Sequence, residues 1–288
     1  REDKYMICES INIHEDMDKI KSEILRFDGA IICDITGQTR NDIIKYCFEN
    51  SKRIYISPKI SDIIIRGGTD INLFDSPLLL CRNSGLSFEQ RLFKRIFDIV
   101  VSVIGLIILS PFMLIIAAAI KIDDGGSIIY KQKRLTINGK EFFVYKFRSM
   151  IPNAEKNGVP QLATGSDSRI TRVGKFLRKC RLDELPQLFN IIKGDMSVVG
   201  PRPERPELTE KYEREMPEFK FRLKVKAGLT GYAQVTGVYD TTPYDKLKMD
   251  LMYIERYSMV MDLRIILMTI KTMISPGEMN SEADKEKY

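Results

Sequence analysis

Short apolar runs alternate with helix-like segments over the first third of the chain. Four runs rich in β-branched residues are typical of buried strands, at residues 5–11, 29–35, 53–58 and 76–82. Between the first three, the apolar spacing is that of amphipathic helices. This alternation predicts a small Rossmann-like parallel sheet covered by helices, an α/β module over residues 1–90. No GxGxxG follows these strands, so we interpret the module as regulatory or involved in assembly rather than dinucleotide-binding.

A long apolar run follows the module. From Ile99 to Ile120 there are 22 consecutive uncharged residues, and a helix needs about 20 to cross the hydrocarbon of a bilayer. Lys94, Arg95 and Lys121 flank the run. A buried helix of a soluble protein is the alternative, and it is the less favoured one because soluble cores rarely contain such a run without polar interruption. The run predicts a membrane helix.

Ser110 and Pro111 lie in the middle of this run. A proline inside a helix removes a hydrogen bond and costs about 3 kcal/mol. In hydrocarbon the freed carbonyl needs another partner, which the Ser110 hydroxyl offers. A kink at this point allows the helix to cross the membrane or to bend back, and composition does not decide between the two.

The sequence after residue 121 is basic and amphipathic. Residues 1–90 hold 12 Lys and Arg against 15 Asp and Glu, and the remaining residues hold 33 against 24. Six cations and no acids fall between Arg169 and Arg181, on a segment with one apolar helical face. Such a helix is suited to a headgroup layer, and the excess of cations attracts anions. Simple solubility is the plainer interpretation of the net charge.

Few residue types remain for chemistry. The chain has one histidine, His14, and five scattered cysteines with no CxxC pair. Zinc clusters, HExxH sites and most Ser-His-Asp arrangements are therefore excluded, and the cysteines fit a reducing compartment. If the chain is an enzyme, its Asp, Glu, Lys, Arg or Tyr side chains must act.

The stretch RLDELPQLF contains two adjacent carboxylates, Asp183 and Glu184, three and two residues before Pro186. Proline is tolerated in the first helical turn, so a helix is predicted to begin near Asp183 and to end at Gly194. The acids then lie at a helix N-terminus, which favours their ionised form. A simple capping role is the alternative interpretation.

Cations surround this acid pair along the sequence. They are Lys146, Arg148, Arg178 and Arg202, the last held between two prolines. The later stretch AGLTGYAQVTG is predicted to be a loop whose glycines let the backbone approach a ligand. Such a set suits a phosphate-rich substrate with Mg²⁺, and an aspartate nucleophile attacking phosphorus is chemically reasonable.

The motifs KRIFD, YKFRSM, LDELPQLFN, KGDMSVVGPRP and GLTGYAQVTG occur in this order around the apolar run. Over about residues 91–275 the chain resembles the bacterial sugar transferase family, the monotopic phosphoglycosyl transferases. The resemblance implies transfer of a sugar 1-phosphate from a UDP-sugar to undecaprenyl phosphate with release of UMP, which starts assembly of a surface glycan.

The resemblance also implies roles for single residues. Asp183 matches the nucleophile and Glu184 the carboxylate tied to Mg²⁺. Lys146, Arg178 and Arg202 match phosphate-binding cations, and we place Arg148 with them. Asp250 matches a functional position whose role is unclear.

The resemblance implies a re-entrant helix kinked at Ser110-Pro111, with both ends on the cytoplasmic face of the bacterial inner membrane. The expected organisation is the α/β module, the membrane helix, a mostly α-helical, membrane-interfacial catalytic domain and a frayed tail, over residues 1–90, 91–122, 123–279 and 280–288. Large family members carry further membrane helices before such a module, so the chain is expected to be a truncation. Membrane lipids are expected partners, and a homodimer stays open.

Three other functions compete with this one. A membrane-anchored regulator accounts for the apolar run but not for the acid pair and its cations. Nucleic-acid binding lacks a supporting motif, and no nucleic acid is expected as a partner. The sole DxD, at Asp16 and Asp18, lies on a predicted solvated helix face, which argues against a metal-dependent glycosyltransferase of that type.

Overall fold

The computed structural model describes residues 6–73, 75–81, 85–151, 167, 169–237 and 241–274. The chain divides into two compact units, residues 1–61 and 62–288. The predicted tail at 280–288 lies outside the described residues.

The first unit contains a small α/β arrangement. Its helices α1 and α2 are Met17–Arg26 and Gly37–Glu49, and its strands β1 and β2 are Gly29–Ile32 and Arg53–Ile56. The two strands pair in parallel, with Gly29 opposite Arg53. Apolar side chains from both helices and from β1 form one buried cluster, made of Ile20, Ile24, Ile32, Ile43 and Cys47. The strand–helix–strand order predicted for residues 29–58 is thus confirmed.

The larger Rossmann-like sheet is not confirmed. Residues 6–11 were predicted to be a buried strand, but they form no strand, and Met6 and Ile7 are largely exposed. The run near residue 78 does form a strand, β4 (Ser76–Leu80), yet it pairs antiparallel with β3 (Thr69–Leu73). The pairing is local because only two residues separate the strands along the chain, and the strands bond to each other without the parallel sheet. Helix α3, Ile60–Arg66, precedes this hairpin.

Helix α4 contains the whole apolar run. It extends from Phe88 to Asp124, with a capping box between Ser87 and Gln90 at its start and Gly125 in the left-handed conformation at its end. It is the one helix among the described residues that is long and apolar enough to cross a membrane. Its central side chains are at least 60 % exposed, namely Ile107, Ile108, Phe112, Leu114 and Ile115.

Pro111 does not interrupt α4. The carbonyl that a residue at position 111 would normally bond belongs to Ile107, and the Ser110 hydroxyl donates to it at 3.0 Å. The predicted partner for the freed carbonyl is therefore confirmed. The re-entrant course of the helix stays a prediction.

The remaining elements of the second unit are mostly helical with two further strand pairs. Strands β5 (Ile129–Leu135) and β6 (Glu141–Phe147) form an antiparallel hairpin, and β7 (Met196–Val199) and β8 (Ala227–Thr230) pair in parallel. The helices are α5 Arg172–Lys179, α6 Gln187–Lys193, α7 Pro206–Glu215, α8 Tyr232–Thr236, α9 Pro243–Glu255 and α10 Met259–Ile274.

The N-terminal half of α4 is attached to this unit by buried polar contacts. Lys94 forms an ion pair with Asp262 of α10 at 2.6 Å, and both side chains are buried. Asp98 accepts hydrogen bonds from the Ser197 hydroxyl and the Val198 N–H of β7, each at 2.9 Å. These contacts fix the beginning of the apolar helix relative to the strand that leads to Arg202.

Candidate active site

The acid pair lies on a 3₁₀ turn, Leu182–Glu184, between α5 and α6. Arg181 precedes the turn with φ of 54°, a left-handed conformation that costs a non-glycine residue roughly 1 kcal/mol or more. Pro186 follows the turn, and α6 ends at Lys193 with Gly194 at φ 97°. The predicted stop at Gly194 is confirmed, but the α-helix begins at Gln187 and not near Asp183, because the acid pair forms a separate 3₁₀ turn before Pro186.

Glu184 is held by two cations. Its Oε1 accepts hydrogen bonds from Lys146 Nζ at 2.6 Å and from Arg202 Nη2 at 3.0 Å. Burial would raise the pKa of Glu184, but the charges of Arg202 and Lys146 outweigh it and lower the pKa to about 2. Glu184 is therefore ionised at neutral pH, and one of its carboxylate oxygens contacts both cations.

Asp183 has a different environment from its neighbour. Its side chain is half-buried, and no hydrogen bond or ion pair joins its carboxylate to another described side chain. Burial raises the pKa of Asp183 above its usual value, while the charges of Lys146 and Arg178 oppose the rise. A helix N-terminus was expected to favour the ionised form of Asp183, and burial together with the charge of Glu184 opposes that effect.

Arg178 reaches the same region from the last turn of α5. Its Nε donates to the Ser149 hydroxyl at 2.8 Å, and its charge lowers the pKa of Asp183. Ser149 is buried two residues after β6, the strand that carries Lys146. Ser149 was not among the predicted site residues, and its position directly after Arg148 in YKFRSM is the only sequence signal for it.

Arg148 and Asp250 contact other partners. Arg148 is 8 % exposed and forms an ion pair with Asp124 at the end of α4. Asp250 is 2 % exposed and accepts from Arg222 Nε at 2.9 Å, and Arg222 Nη2 lies 2.7 Å from the same carboxylate oxygen. Neither side chain touches the acid pair in the described part of the chain.

Asn190 is a residue that sequence reasoning missed. Its side chain is fully buried, accepts from the Tyr145 N–H at 2.9 Å and donates to the Phe143 carbonyl at 2.8 Å. The amide therefore pairs with the edge of β6 as a neighbouring strand would. It fixes the strand of Lys146 against the helix that follows the acid pair. A polar residue within an apolar helical pattern was the available signal.

The predicted glycine loop is instead strand β8 followed by helix α8. A Cβ at Gly228 would lie 2.1 Å from Gly200 N, and one at Gly231 would lie 2.2 Å from the Gly200 carbonyl oxygen. The glycines are thus required where two stretches of backbone meet, and the interpretation as a ligand loop was wrong for these contacts. Gly228 nonetheless lines a shallow pocket together with Lys146, Glu184, Gln187 and Arg202.

The donor set is compatible with a sparsely coordinated divalent cation. No group of three His, Cys, Asp or Glu side chains able to hold a metal occurs among the described residues. The hydrogen bonds of Glu184 all go to Oε1, which leaves Oε2 and the Asp183 carboxylate as oxygen ligands. Mg²⁺ is typically held by one or two carboxylates plus substrate phosphates and waters, so these residues fit it.

The bacterial sugar transferase family model matches residues 89–276, which confirms the resemblance seen in the sequence. A UDP-N-acetylgalactosamine-undecaprenyl-phosphate N-acetylgalactosaminephosphotransferase of Aeromonas hydrophila is 42% identical over 185 residues, 63% of this chain and 44% of that protein. A UDP-glucose:undecaprenyl-phosphate glucose-1-phosphate transferase of Klebsiella pneumoniae is 43% identical over 211 residues, 72% of this chain and 43% of that protein.

The chain spans less than half the length of these two relatives. By contrast, the exopolysaccharide production protein PSS of Rhizobium leguminosarum bv. phaseoli is 40% identical over 194 residues, which is 64% of this chain but 96% of that protein. The matched region therefore corresponds to nearly a whole relative. Because the match covers well over half of the chain, including the acid pair and the cations around it, the chain belongs to the bacterial sugar transferase family.

Proposed function

We propose that this protein transfers a sugar 1-phosphate from a UDP-sugar to undecaprenyl phosphate, with Asp183 as the nucleophile. The observation that carries the proposal is the contrast within the acid pair. Glu184 is bound by Lys146 and Arg202, whereas the adjacent Asp183 carboxylate has no such side-chain partner among the described residues and would be able to attack. The relatives' names specify the same donor and acceptor classes for those proteins.

The reaction has two displacements at one phosphorus atom. In the first, an Asp183 oxygen forms a bond to the phosphorus that carries the sugar, the bond to the UMP oxygen breaks, and UMP leaves with that electron pair. In the second, a phosphate oxygen of undecaprenyl phosphate attacks the same phosphorus. The bond to Asp183 breaks, and the products are undecaprenyl diphosphate sugar and a regenerated carboxylate. A covalent intermediate lets a soluble donor and a lipid acceptor be used in turn.

The cations of the site would bind the phosphate oxygens. The Arg202 side chain is 45% exposed and uses Nη2 for Glu184, so the other N–H groups of its planar fork are available to a diphosphate. Arg178 and Lys146 lie on the two elements beside Asp183. Positive charge at this point stabilises the charge that develops on the transferred phosphoryl group.

Mg²⁺ would be held by Glu184 and Asp183 and would supply charge neutralisation for the substrate phosphates. Its role is part of the proposal, and the contacts above do not depend on it.

Two observations support a re-entrant course for α4. A Cβ at Gly105 would lie 3.4 Å from Leu188, and Ile116 and Ile120 share a buried cluster with Leu177. The N-terminal and C-terminal halves of the apolar run thus pack against two leucines, Leu188 and Leu177, that are close in sequence. The described residues contain no second helix that could connect opposite faces of a bilayer.

We therefore place both ends of α4 on the cytoplasmic face of the inner membrane, with lipid around the exposed centre of the helix. Exposed apolar side chains on neighbouring helices, Phe176, Phe189, Leu263 and Leu267, would extend this lipid contact.

The test is intact-protein mass spectrometry after mixing the protein, in detergent, with each member of a UDP-sugar panel and no lipid acceptor. With one UDP-sugar of the panel, the protein mass should increase by the mass of one sugar phosphate, and UMP should be released. The adduct should disappear when undecaprenyl phosphate is added. If no member of the panel gives an adduct, UMP release or exchange of labelled UMP into donor, the proposed function is wrong.

A further inference from the structure

The segment Pro201–Glu204, which presents Arg202 to the site, has every main-chain carbonyl hydrogen-bonded. The carbonyls of Pro201 and Glu204 accept from the backbone N–H groups of Gly228 and Leu135, at 2.9 and 3.0 Å. Those of Arg202 and Pro203 accept from two arginine side chains: Arg222 Nη2 at 3.0 Å and Arg134 Nη1 at 3.1 Å. Two of the four residues are prolines with a fixed φ. The backbone of this segment is therefore constrained on all sides.

Arg222 is itself oriented by Asp250. The Asp250 carboxylate is buried and accepts from Nε of the guanidinium, Nη2 lies 2.7 Å from the same carboxylate oxygen, and the ring centre of Phe219 lies 4.9 Å from the guanidinium carbon. Arg222 is only 6% exposed. A buried guanidinium that is ion-paired along one edge and packed on a ring is strongly restricted in its orientation. That orientation is the one in which Nη2 also reaches the Arg202 carbonyl.

Glu204 lies between the two arginines. Its carboxylate oxygens are 3.8 Å from Arg134 Nη1 and 3.7 Å from Arg222 Nη1. Arg134 has a second anchor in Gln132, whose side-chain oxygen accepts from Nη2 at 2.6 Å. Each of the two arginines is thus held by further side-chain contacts besides the carbonyl that it binds.

We propose that Asp250, acting through Arg222, and Arg134 are positioning residues that set where the Arg202 guanidinium meets Glu184 and the donor phosphates. This inference rests on the proposed function for the identity of the ligand. Asp250 then acts indirectly. It orients Arg222, Arg222 holds the Arg202 main chain, and the Arg202 side chain binds phosphate. A displacement of about 1 Å at such a position is enough to lower a rate by roughly 100-fold.

The test is a double-mutant cycle on kcat/KM for UMP release, measured with wild type, Asp250→Asn, Arg202→Ala and the double variant. Asp250→Asn removes the charge that orients Arg222 and nearly keeps the side-chain volume. We expect it to lower kcat/KM by about 10- to 100-fold in the wild-type background, mostly through KM for the donor, and by less than about twofold once Arg202 is alanine. The same loss in both backgrounds would show that Asp250 acts independently of Arg202 and would overturn the proposal.

Arg222→Lys gives a second route to the same answer if Asp250→Asn folds poorly. Lysine keeps the positive charge opposite Asp250 but lacks the planar fork that reaches both Asp250 and the Arg202 carbonyl. We expect it to show the same dependence on Arg202. Glu210→Gln is the matched control because Glu210 is an exposed carboxylate on α7 outside the site, and its kcat/KM should equal that of wild type.

Hydrogen exchange separates failure of this inference from failure of the proposed function. Peptides covering Leu135 and Gly228, whose N–H groups donate to the Glu204 and Pro201 carbonyls, should exchange faster in Asp250→Asn and Arg222→Lys than in wild type and Glu210→Gln, whether or not UMP is released. Unchanged exchange would overturn the positioning role even in an active enzyme. If wild type releases no UMP while exchange responds as expected, the positioning role stands and the proposed reaction is what fails.

Discussion

Glu184 accepts a hydrogen bond from Lys146 at 2.6 Å, while the carboxylate of Asp183, one residue earlier, has no comparable partner in the part of the chain that the structure describes. The pKa of Glu184 falls to about 2, and burial raises that of Asp183. Adjacent acids whose environments separate their pKa values usually have separate roles. This contrast leads to the first two predictions.

Asp183→Asn should abolish both UMP release and the covalent adduct, because an amide is not a nucleophile toward phosphorus. Glu184→Gln should retain slow UMP release, since its amide oxygen can still accept from Lys146, but it should need a higher Mg²⁺ concentration for half-maximal rate. UMP release in single turnovers, titrated with Mg²⁺, checks both statements. An active Asp183→Asn variant would refute the nucleophile assignment.

The rate of adduct formation should fall as pH decreases through a pKa above the usual aspartate value of 3.8. The ionised form of Asp183 is the nucleophile, so a raised pKa means that the active form is lost at a higher pH. Lys146→Met removes a charge that opposes this rise, and the acidic limb of the profile should therefore shift to still higher pH. Single-turnover rates against pH provide the measurement.

Lys211→Met is the control for this shift because Lys211 is an exposed cation on α7. Its pH profile should match that of wild type. An acidic limb that stays in place or shifts downward in Lys146→Met would contradict the assignment of the pKa to Asp183.

Lys94→Met should destabilise the second unit by about 3–5 kcal/mol, because it leaves the Asp262 carboxylate buried without its cation. Lys94→Met combined with Asp262→Asn should regain much of that loss, since no uncompensated charge remains. Thermal unfolding in detergent, with exposed Arg91→Met as control, distinguishes the variants. Equal stability of the single and the double variant would argue against a buried charge pair.

Ser110→Ala should destabilise α4 in a bilayer because the Ile107 carbonyl then loses its hydrogen bond. In a Pro111→Ala background the new N–H of residue 111 can bond that carbonyl, so the same serine change should have little effect there. Thermal unfolding of the four proteins in nanodiscs measures this dependence. A serine effect of the same size in both backgrounds would mean that the hydroxyl does not replace the missing N–H.

The local features of this chain could be predicted from sequence, and its long-range contacts could not. Three features depend on residues that are near one another in sequence: the apolar helix, the hydrogen bond from the Ser110 hydroxyl to the Ile107 carbonyl, and the end of α6 at Gly194. The partners of Lys94, Asp98 and Asp250 lie 168, 99 and 28 residues away along the chain. No spacing rule connects such positions.

The sequence predicted which charged residues belong to the site from their type and neighbours, but not which long-range partners they have. Lys146, Arg178 and Arg202 do lie around the acid pair, but Arg148 was included on charge alone, and its pairing with Asp124 at the end of α4 could not be seen. The glycines of the GLTG stretch were predicted to form a ligand-binding loop. Glycine is required both where two backbones approach each other and where a backbone approaches a ligand, so the residue type does not distinguish the two cases.

The distance in sequence between Lys94 and Asp262 has a consequence for synthesis. A ribosome adding about 5–20 residues per second produces Asp262 roughly 10 to 30 seconds after Lys94. During that interval α4 has been made, while the carboxylate that pairs with its Lys94 does not yet exist. The nascent chain therefore cannot complete this junction until α10 emerges, and a chain that stops short of residue 262 lacks this partner for the Lys94 ammonium in the first turns of α4.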